Sequence, residues 1–429
     1  MTAIWVSLLM LVLLAAGIPV AFSLLIAGAV GLWSLGGIEF VLGILKTVPL
    51  SSVSSYELIT VPMFLVMAEF VIASGVADGI FRAAAVWVGR IPGGLGIATA
   101  LAGAGFGALS GSSTAGAATL ASTSLPAMIR NRYEPRMAAG VVAISGTLAM
   151  LIPPSIALVL YGLVANVSIG KLLIAGVVPG LLVTLTIMLT VFALVIADPS
   201  RAPVRERFSW KEKFESLRVA GPVALLFIAV TGVIYLGVAT PTEASALGAF
   251  GALLLSARYR KLSWSVVAAA LARSARTSCM IMAIVMGAHV FGYFMTLSQA
   301  PQTLVKAMAG LDVAPWVVMT LILAMYLVLG WFLDQVTIII LTVPVVLPLV
   351  VSIGYDPIWF GVIVVVMAEL GMVTPPVGLN VFVVARYTGQ PPEEIFAGVM
   401  PHVISHLVLV ALLVIFPQLI LFAPQRMAG

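Results

Sequence analysis

Two stretches decide how this chain folds: Gly146-Thr147-Leu148-Ala149-Met150-Leu151-Ile152-Pro153-Pro154-Ser155 and Glu369-Leu370-Gly371-Met372-Val373-Thr374-Pro375-Pro376-Val377-Gly378-Leu379-Asn380. Each sets a proline pair in the middle of an apolar run. Proline has no N–H to donate and its ring collides with the preceding turn, so a helix that meets either pair unwinds there. Unwinding frees backbone carbonyls, which in lipid must be satisfied inside the protein. The two breaks therefore belong to membrane helices whose interruptions line an interior cavity.

Lipid surroundings follow from composition. Of the 429 residues, 62% are hydrophobic and 9% are charged, whereas soluble domains carry about 25% charge. Barrel strands alternate over about 10 residues. Here the apolar runs are continuous, as at 221–237 and 403–422, and match helices that need roughly 20 apolar residues to span. The chain reads as an all-α polytopic membrane protein. Residues 5–35 are apolar for longer than a signal peptide and lack a charged start, so they read as a retained membrane segment. The single cysteine, Cys279, leaves no intrachain disulfide and no cysteine metal cluster. The histidines His289, His402 and His406 are not spaced as metal ligands, so no transition metal is expected. No phosphate-binding Gly-Lys-Ser/Thr loop and no nucleophile with its base is present, which speaks against ATP hydrolysis and against an enzyme.

Basic residues cluster. The groups are Arg82 and Arg90; Arg130, Arg132 and Arg136; a run from Arg201 to Arg218; and Arg258, Arg260, Lys261, Arg273 and Arg276. Positive segments stay in the cytoplasm. That leaves Lys46, Lys171, Lys306 and Arg426 outside and both termini periplasmic. The net charge of +5 reflects this loop bias and does not indicate a nucleic-acid partner.

The sequence also repeats at a fixed offset. Pro19 matches Pro241, Pro126 matches Pro348, Tyr133-Glu134-Pro135 matches Tyr355-Asp356-Pro357, Pro153-Pro154 matches Pro375-Pro376, and Pro179 matches Pro401. The separation is 222 residues each time (241 − 19, 348 − 126, 401 − 179). The Tyr133 turn is flanked by arginines and its mate by none, so the copies have opposite topology. Inverted repeats with sites near the bilayer midplane mark many secondary transporters. The expected units are residues 1–198, a cytoplasmic basic linker at 199–220, and residues 221–429.

Each unit carries a re-entrant helical hairpin ahead of its broken helix. In the first, residues 96–109 and 117–129 flank a tip at Ser110–Gly116; in the second, 316–330 and 338–351 flank a tip at Trp331–Thr337. Arms of about 13 residues rise only about 20 Å, too short to span. The broken helices are expected at 137–165 and 358–385. Amphipathic stretches at 40–55 and 263–273 fit arms lying along the interface.

Unwound carbonyls with serine and threonine hydroxyls make a hard oxygen cage for a small cation such as Na⁺. Helix N-termini that start after each tip and each break attract a carboxylate. The candidate sodium ligands are Ser110, Ser112, Ser113, Thr147, Asp334, Gln335, Thr337, Gly371 and Thr374. The candidate substrate contacts are Ser112, Thr114, Pro154, Ser155, Pro376, Gly378 and Asn380. The copies differ where it matters: Ser112 faces Asp334 across the offset, Thr147 faces Glu369, and Ser155 faces Val377. Asp334 reads either as an ion ligand or as a tip-stabilising acceptor. Glu369 reads either as an orienter of unwound backbone or as a proton carrier.

With these motifs in hand, the chain resembles the large membrane subunit of TRAP (tripartite ATP-independent periplasmic) transporters. The resemblance rests on Val61-Pro62-Met63-Phe64, on residues 107–113, on Leu151-Ile152-Pro153-Pro154-Ser155 and on residues 369–381, and it extends along essentially the whole chain. It implies a sodium-driven importer of organic acids, typically carboxylates such as dicarboxylates or sialic acid, in the bacterial inner membrane. The implied partners are a small four-helix membrane subunit, encoded separately, and a periplasmic binding protein. The implied mechanism is an elevator, and the implied cofactors are none beyond coupling sodium ions. Related inverted-hairpin folds leave a stand-alone sodium/dicarboxylate symporter as the alternative.

Overall fold

The computed structural model describes residues 2–203, 208–259, 262–309 and 313–427, and among them the only regular secondary structure is helical. The first part runs α1 (Thr2–Ala15), α2 (Val20–Val53), α3 (Thr60–Ser74), α4 (Val76–Val88), α5 (Gly94–Ser110), α6 (Ser113–Arg130), α7 (Pro135–Thr147), α8 (Ile156–Ala165) and α9 (Ile169–Ala197). The second runs α10 (Trp210–Tyr235), α11 (Pro241–Arg258), α12 (Trp264–Leu297), α13 (Ala300–Ala309), α14 (Pro315–Phe332), α15 (Gln335–Ser352), α16 (Pro357–Gly371), α17 (Leu379–Thr388), α18 (Pro392–Ile415) and α19 (Gln418–Gln425). Seven helices among the described residues are long and apolar enough to cross a bilayer, or eight with the bent α10. Their outer faces are leucine-rich stripes at helical spacing, such as Leu181, Leu185 and Leu189 on α9, all exposed.

Both broken helices form where the proline pairs stand. α7 passes through a 3₁₀ turn at Leu148–Met150, unwinds, and resumes as α8; α16 unwinds after Gly371 and resumes as α17. Both Pro-Pro bonds are cis.

Several boundaries differ from the sequence expectation. The hairpin arms are 17 and 18 residues in the first hairpin and 18 each in the second, not about 13. The tips shrink to Gly111–Ser112 and Leu333–Asp334. The reason is capping: Ser112 and Asp334 accept from backbone N–H groups two or three residues ahead, so the second arms start at once. Arm length thus no longer rules out spanning, and α14 and α15 are themselves long and apolar enough to cross. Residues 5–35 are not one helix, because Gly17 at φ +81 and Pro19 separate α1 from α2. The stretch at 40–55 does follow a kink, at Gly37 (φ +74) inside α2. The stretch at 263–273 is instead the opening of the uninterrupted α12. Half of the presumed linker is helix: Ser209 and Glu212 form a capping box that starts α10, and residues 204–207 lie outside the described residues.

Packing is reciprocal between the two parts. α2 lies on α12 while α3 lies on α11; α6 lies on α17 while α15 lies on α8; α7 lies on α18 while α16 lies on α9. Small residues make these approaches close, as is usual where helices associate without a hydrophobic driving force. A Cβ on Gly28 would sit 2.8 Å from the Phe291 backbone N, and one on Gly398 would overlap the Arg136 carbonyl. α2, α3, α11 and α12 make one four-helix frame. The hairpins, broken helices, α9 and α18 make a second body.

Gly398→Ala drives a methyl into backbone, where overpacking costs about 1–3 kcal/mol or more. Its melting temperature in detergent should fall by several degrees. Gly292→Ala has nothing within 4 Å of the added Cβ and should melt as the parent does. Equal melting of the two variants would refute the close α7–α18 contact.

Candidate functional site

The two hairpin tips meet. Gly111, Ser112, Ser113 and Thr114 from the first and Asp334, Gln335, Val336 and Thr337 from the second line one cavity of about 590 Å³. The frame supplies the facing wall, Pro19–Phe22 at the start of α2 and Thr277–Ile284 in the middle of α12. Because α12 runs for 34 residues, about 51 Å, tips beside its middle stop well short of either end. This supports re-entrance better than arm length does.

The tips are chemically unequal. Asp334 caps α15, accepting from Val336 N at 3.1 Å and Thr337 N at 3.3 Å, with a further bond from the Thr337 hydroxyl. Its carboxylate already lies on the positive end of that helix. Ser112 caps α6 only loosely, accepting from Ala115 N at 3.4 Å, and it faces the Thr114 hydroxyl at 3.4 Å. The N-terminus of α6 is thus neutral and open to an anion, whereas that of α15 is occupied by its own acid. Of the two readings of Asp334, the tip-stabilising one is present as geometry. It does not exclude ion binding, since a carboxylate retains further acceptor positions.

Behind the tips, side chains tie each hairpin to a broken helix. Asn380, at the start of α17, donates through Nδ2 to Ser113 Oγ at 2.7 Å and to the Ala143 carbonyl at 3.4 Å. Gln335 donates to the Val365 carbonyl at 2.9 Å. Trp331 donates to Thr374 Oγ1 at 2.8 Å, which itself donates to the Gly371 carbonyl at 3.2 Å. The buried Glu369 has the Met150 backbone as its polar neighbour, and its Oε1 has no hydrogen-bond partner.

The carbonyls freed by the prolines are partly recaptured. The Met150 carbonyl accepts from the Ser155 hydroxyl, and the Met372 carbonyl from the Asn380 backbone N–H at 3.1 Å. These two methionines stand 222 residues apart, and both line the cavity.

The candidate residues therefore divide. Ser112, Ser113, Thr114, Asp334, Gln335 and Thr337 reach the cavity wall. Thr147, Ser155, Thr374 and Asn380 are buried behind it. Gly371 packs against Gly330, and Gly378 turns at φ +61 beside Phe396. Pro154 and Pro376 do not line the cavity. The side chain of Ser110 lies outside the described residues. Sequence reading passed over the frame wall and over Met150 and Met372. The methionines were findable, since they hold matching places in the two break motifs.

Comparison with known proteins decides the family. Residues 7–419 match the family described as "Tripartite ATP-independent periplasmic transporter, DctM component". The chain belongs to the large permease family of TRAP transporters. It is 37% identical over 371 residues, 86% of each chain, to the C4-dicarboxylate TRAP transporter large permease protein DctM of Pseudomonas aeruginosa. It is 32% identical over 420 residues, 97% of each, to the sialic acid TRAP transporter large permease protein SiaM of Vibrio cholerae. It is 29% identical over 425 residues, 98% of each, to the ectoine TRAP transporter large permease protein TeaC of Halomonas elongata. Among solved structures, the Alcanivorax borkumensis YdaH transporter shares the fold, with TM-score 0.67 and 14% identity over 94% of this chain and 98% of that one. This TRAP permease is thus a multi-pass inner-membrane transport subunit and not an enzyme.

If Asn380 and Ser113 hold the two parts together, Ser113→Ala and Asn380→Ala should each lower the melting temperature in detergent. The double variant should lose less than the sum, with coupling on the order of 1 kcal/mol. Strict additivity would sink the proposed tie.

Proposed function

We propose that this chain is the large permease of a sodium-coupled, binding-protein-dependent importer of organic acids, and that it works as an elevator of two inverted repeats. The observation that carries the reading is the meeting of both tips on one cavity, with an open helix N-terminus on one side and a carboxylate with hydroxyls on the other. The first arrangement suits an organic anion and the second suits Na⁺. Ser112, Ser113 and Thr114 at the α6 end take the carboxylate in this reading. Asp334, Gln335 and Thr337 contribute to a sodium site, with Thr147, Gly371 and Thr374 behind. Relatives are named for C4-dicarboxylates, sialic acid, ectoine and isethionate; these solutes share an acidic group, a carboxylate in the first three and a sulfonate in the last, which favours organic acids. TRAP permeases work with a small membrane subunit and a periplasmic binding protein, and we assign the same partners here. Basic segments lie in the cytoplasm and both termini in the periplasm.

The elevator reading draws on a second cavity of about 550 Å³. It lies between the frame and the α8–α9 turn, and its frame wall includes Ser55, Leu58, Pro241 and Thr242. Shifted by 222 residues these are Thr277, Met280, Pro19 and Val20, which form the frame wall of the tip cavity. The frame thus offers the tips the same wall at two levels. α4 joins frame to hairpin between Gly75 (φ +71) and Gly93 (φ +75), positions where only glycine turns freely. Sliding of the body would exchange one wall for the other, with α4 as the arm.

In proteoliposomes holding the permease, the small subunit and a binding protein, uptake should require both the sodium gradient and the binding protein. Uptake without the binding protein would favour the stand-alone symporter. Asp334→Asn keeps a good N-cap but removes the charge, so it should reduce sodium-driven uptake about tenfold or more, as loss of a charged hydrogen-bonding group does, with normal insertion. Ser112→Ala should do likewise. Unchanged sodium dependence in both variants would refute the site. For the elevator, Leu58→Cys and Thr277→Cys, each in a Cys279→Ala background, should change thiol accessibility in opposite directions when substrate and sodium are added. No change in either would rule out exchange of the two walls.

A further inference from the structure

A third cavity shares no lining residue with the two described above. It holds about 760 Å³ and lies between α4, the far end of α6 and the opening turns of α10. Its floor is apolar: Phe81, Ala85 and Val86 of α4 and Leu95 of α5, all buried. Its rim is charged in both signs, with Arg82 and Arg130 alongside Asp78, Glu212 and Glu215. Among the described residues no ion pair within 4.0 Å joins any of these five.

The surroundings set this cavity at the edge of the bilayer. Residues 210–218 of α10 bend by 53° from residues 220–235. They carry Trp210 and Phe214 one turn apart, 69% and 63% exposed, with Lys211, Lys213 and Arg218 between and beyond. That is the pattern of a helix lying in the interface with aromatic anchors. Lys213 Nζ lies 4.9 Å from the Trp210 ring and 5.6 Å from the Trp87 ring of α4, so one ammonium bridges the two walls by cation–π contact.

We propose that this cavity holds one bilayer phospholipid whose headgroup pairs a phosphate with a primary ammonium, an aminophospholipid of the phosphatidylethanolamine type. An acyl chain covers the apolar floor. The phosphate meets the guanidinium groups of Arg82 and Arg130, and the ammonium meets the carboxylates of Asp78, Glu212 and Glu215. The rim chooses among headgroups by charge and by donors. With the Lys213 ammonium that bridges the walls, three cations face three carboxylates, a balance that suits a zwitterionic headgroup better than a purely anionic one. A choline headgroup has no N–H to give the carboxylates, whereas a primary ammonium has three. The lipid would sit between α10 and α4, the arm that leads to the first hairpin. Any effect on transport rests on the sliding proposed above, but the binding itself does not.

The test is native mass spectrometry of the full-length chain in mild detergent, offered equal amounts of tail-matched phosphatidylethanolamine, phosphatidylglycerol and phosphatidylcholine. Phosphatidylethanolamine should be retained about fivefold or more over the other two, and Arg82→Ala/Arg130→Ala should cut that retention about tenfold, the effect of losing charge-assisted bonds. Asp78→Asn should narrow the preference over phosphatidylcholine. Equal retention of the three lipids by the unaltered chain, or preference for phosphatidylglycerol, would overturn the proposal even if the double variant did not fold. So would undiminished retention by a folded double variant.

Discussion

Everything in this structure answers to one constraint: a backbone amide or carbonyl released inside a membrane must find a partner within the protein. Two proline pairs release such groups at two places, and the fold is organised around receiving them. Ser155 takes the Met150 carbonyl and the Asn380 backbone N–H takes the Met372 carbonyl, while the Glu369 carboxyl lies against the Met150 backbone. These partners come from the break itself or from the opposite half. A break that needs so many neighbours has to sit deep, which is why the interrupted helices are sheathed by α9, α18 and the hairpins.

The same constraint explains the tips. A helix that begins in the interior exposes unpaired N–H groups, and each tip supplies a cap in a single residue. A hydroxyl at Ser112 leaves local positive potential over; a carboxylate at Asp334 cancels it. One substitution across the 222-residue offset thus gives the cavity two walls of different electrostatic character, without altering the backbone route by which either hairpin arrives.

Much of this was legible in the sequence, and the gaps have physical causes. The breaks were readable because a Pro-Pro pair admits no regular helix. The meeting of the tips was implied by the repeat. Tip length was overestimated because small polar residues such as Thr114, Ala115 and Gly116 look like loop but continue a helix once Ser112 has started it. α4 and α13 went unread because short amphipathic helices lack the long apolar run that announces a span; α4 shows itself through Val76, Ile80 and Ala83 on one face with Asp78 and Arg82 on the other. The uninterrupted α12 defeated the symmetry argument, since the matching stretch, residues 42–75, breaks between α2 and α3. Pairings such as Asn380 with Ser113, 267 residues apart, leave no trace in local pattern.

Reciprocal packing also has a consequence for how the protein is made. α7 is complete at Thr147, but α18, against which its Gly140 face closes, is complete only at Ile415. At about 5–20 residues per second, the ribosome needs roughly a quarter of a minute to nearly a minute to supply it. For most of that interval Ser113 has no Asn380, and throughout it the Gly140 face of α7 lacks its complete partner helix. The nascent first half waits in the bilayer as an unfinished mould, and its assembly is governed by the arrival of the last spans rather than by insertion of the first.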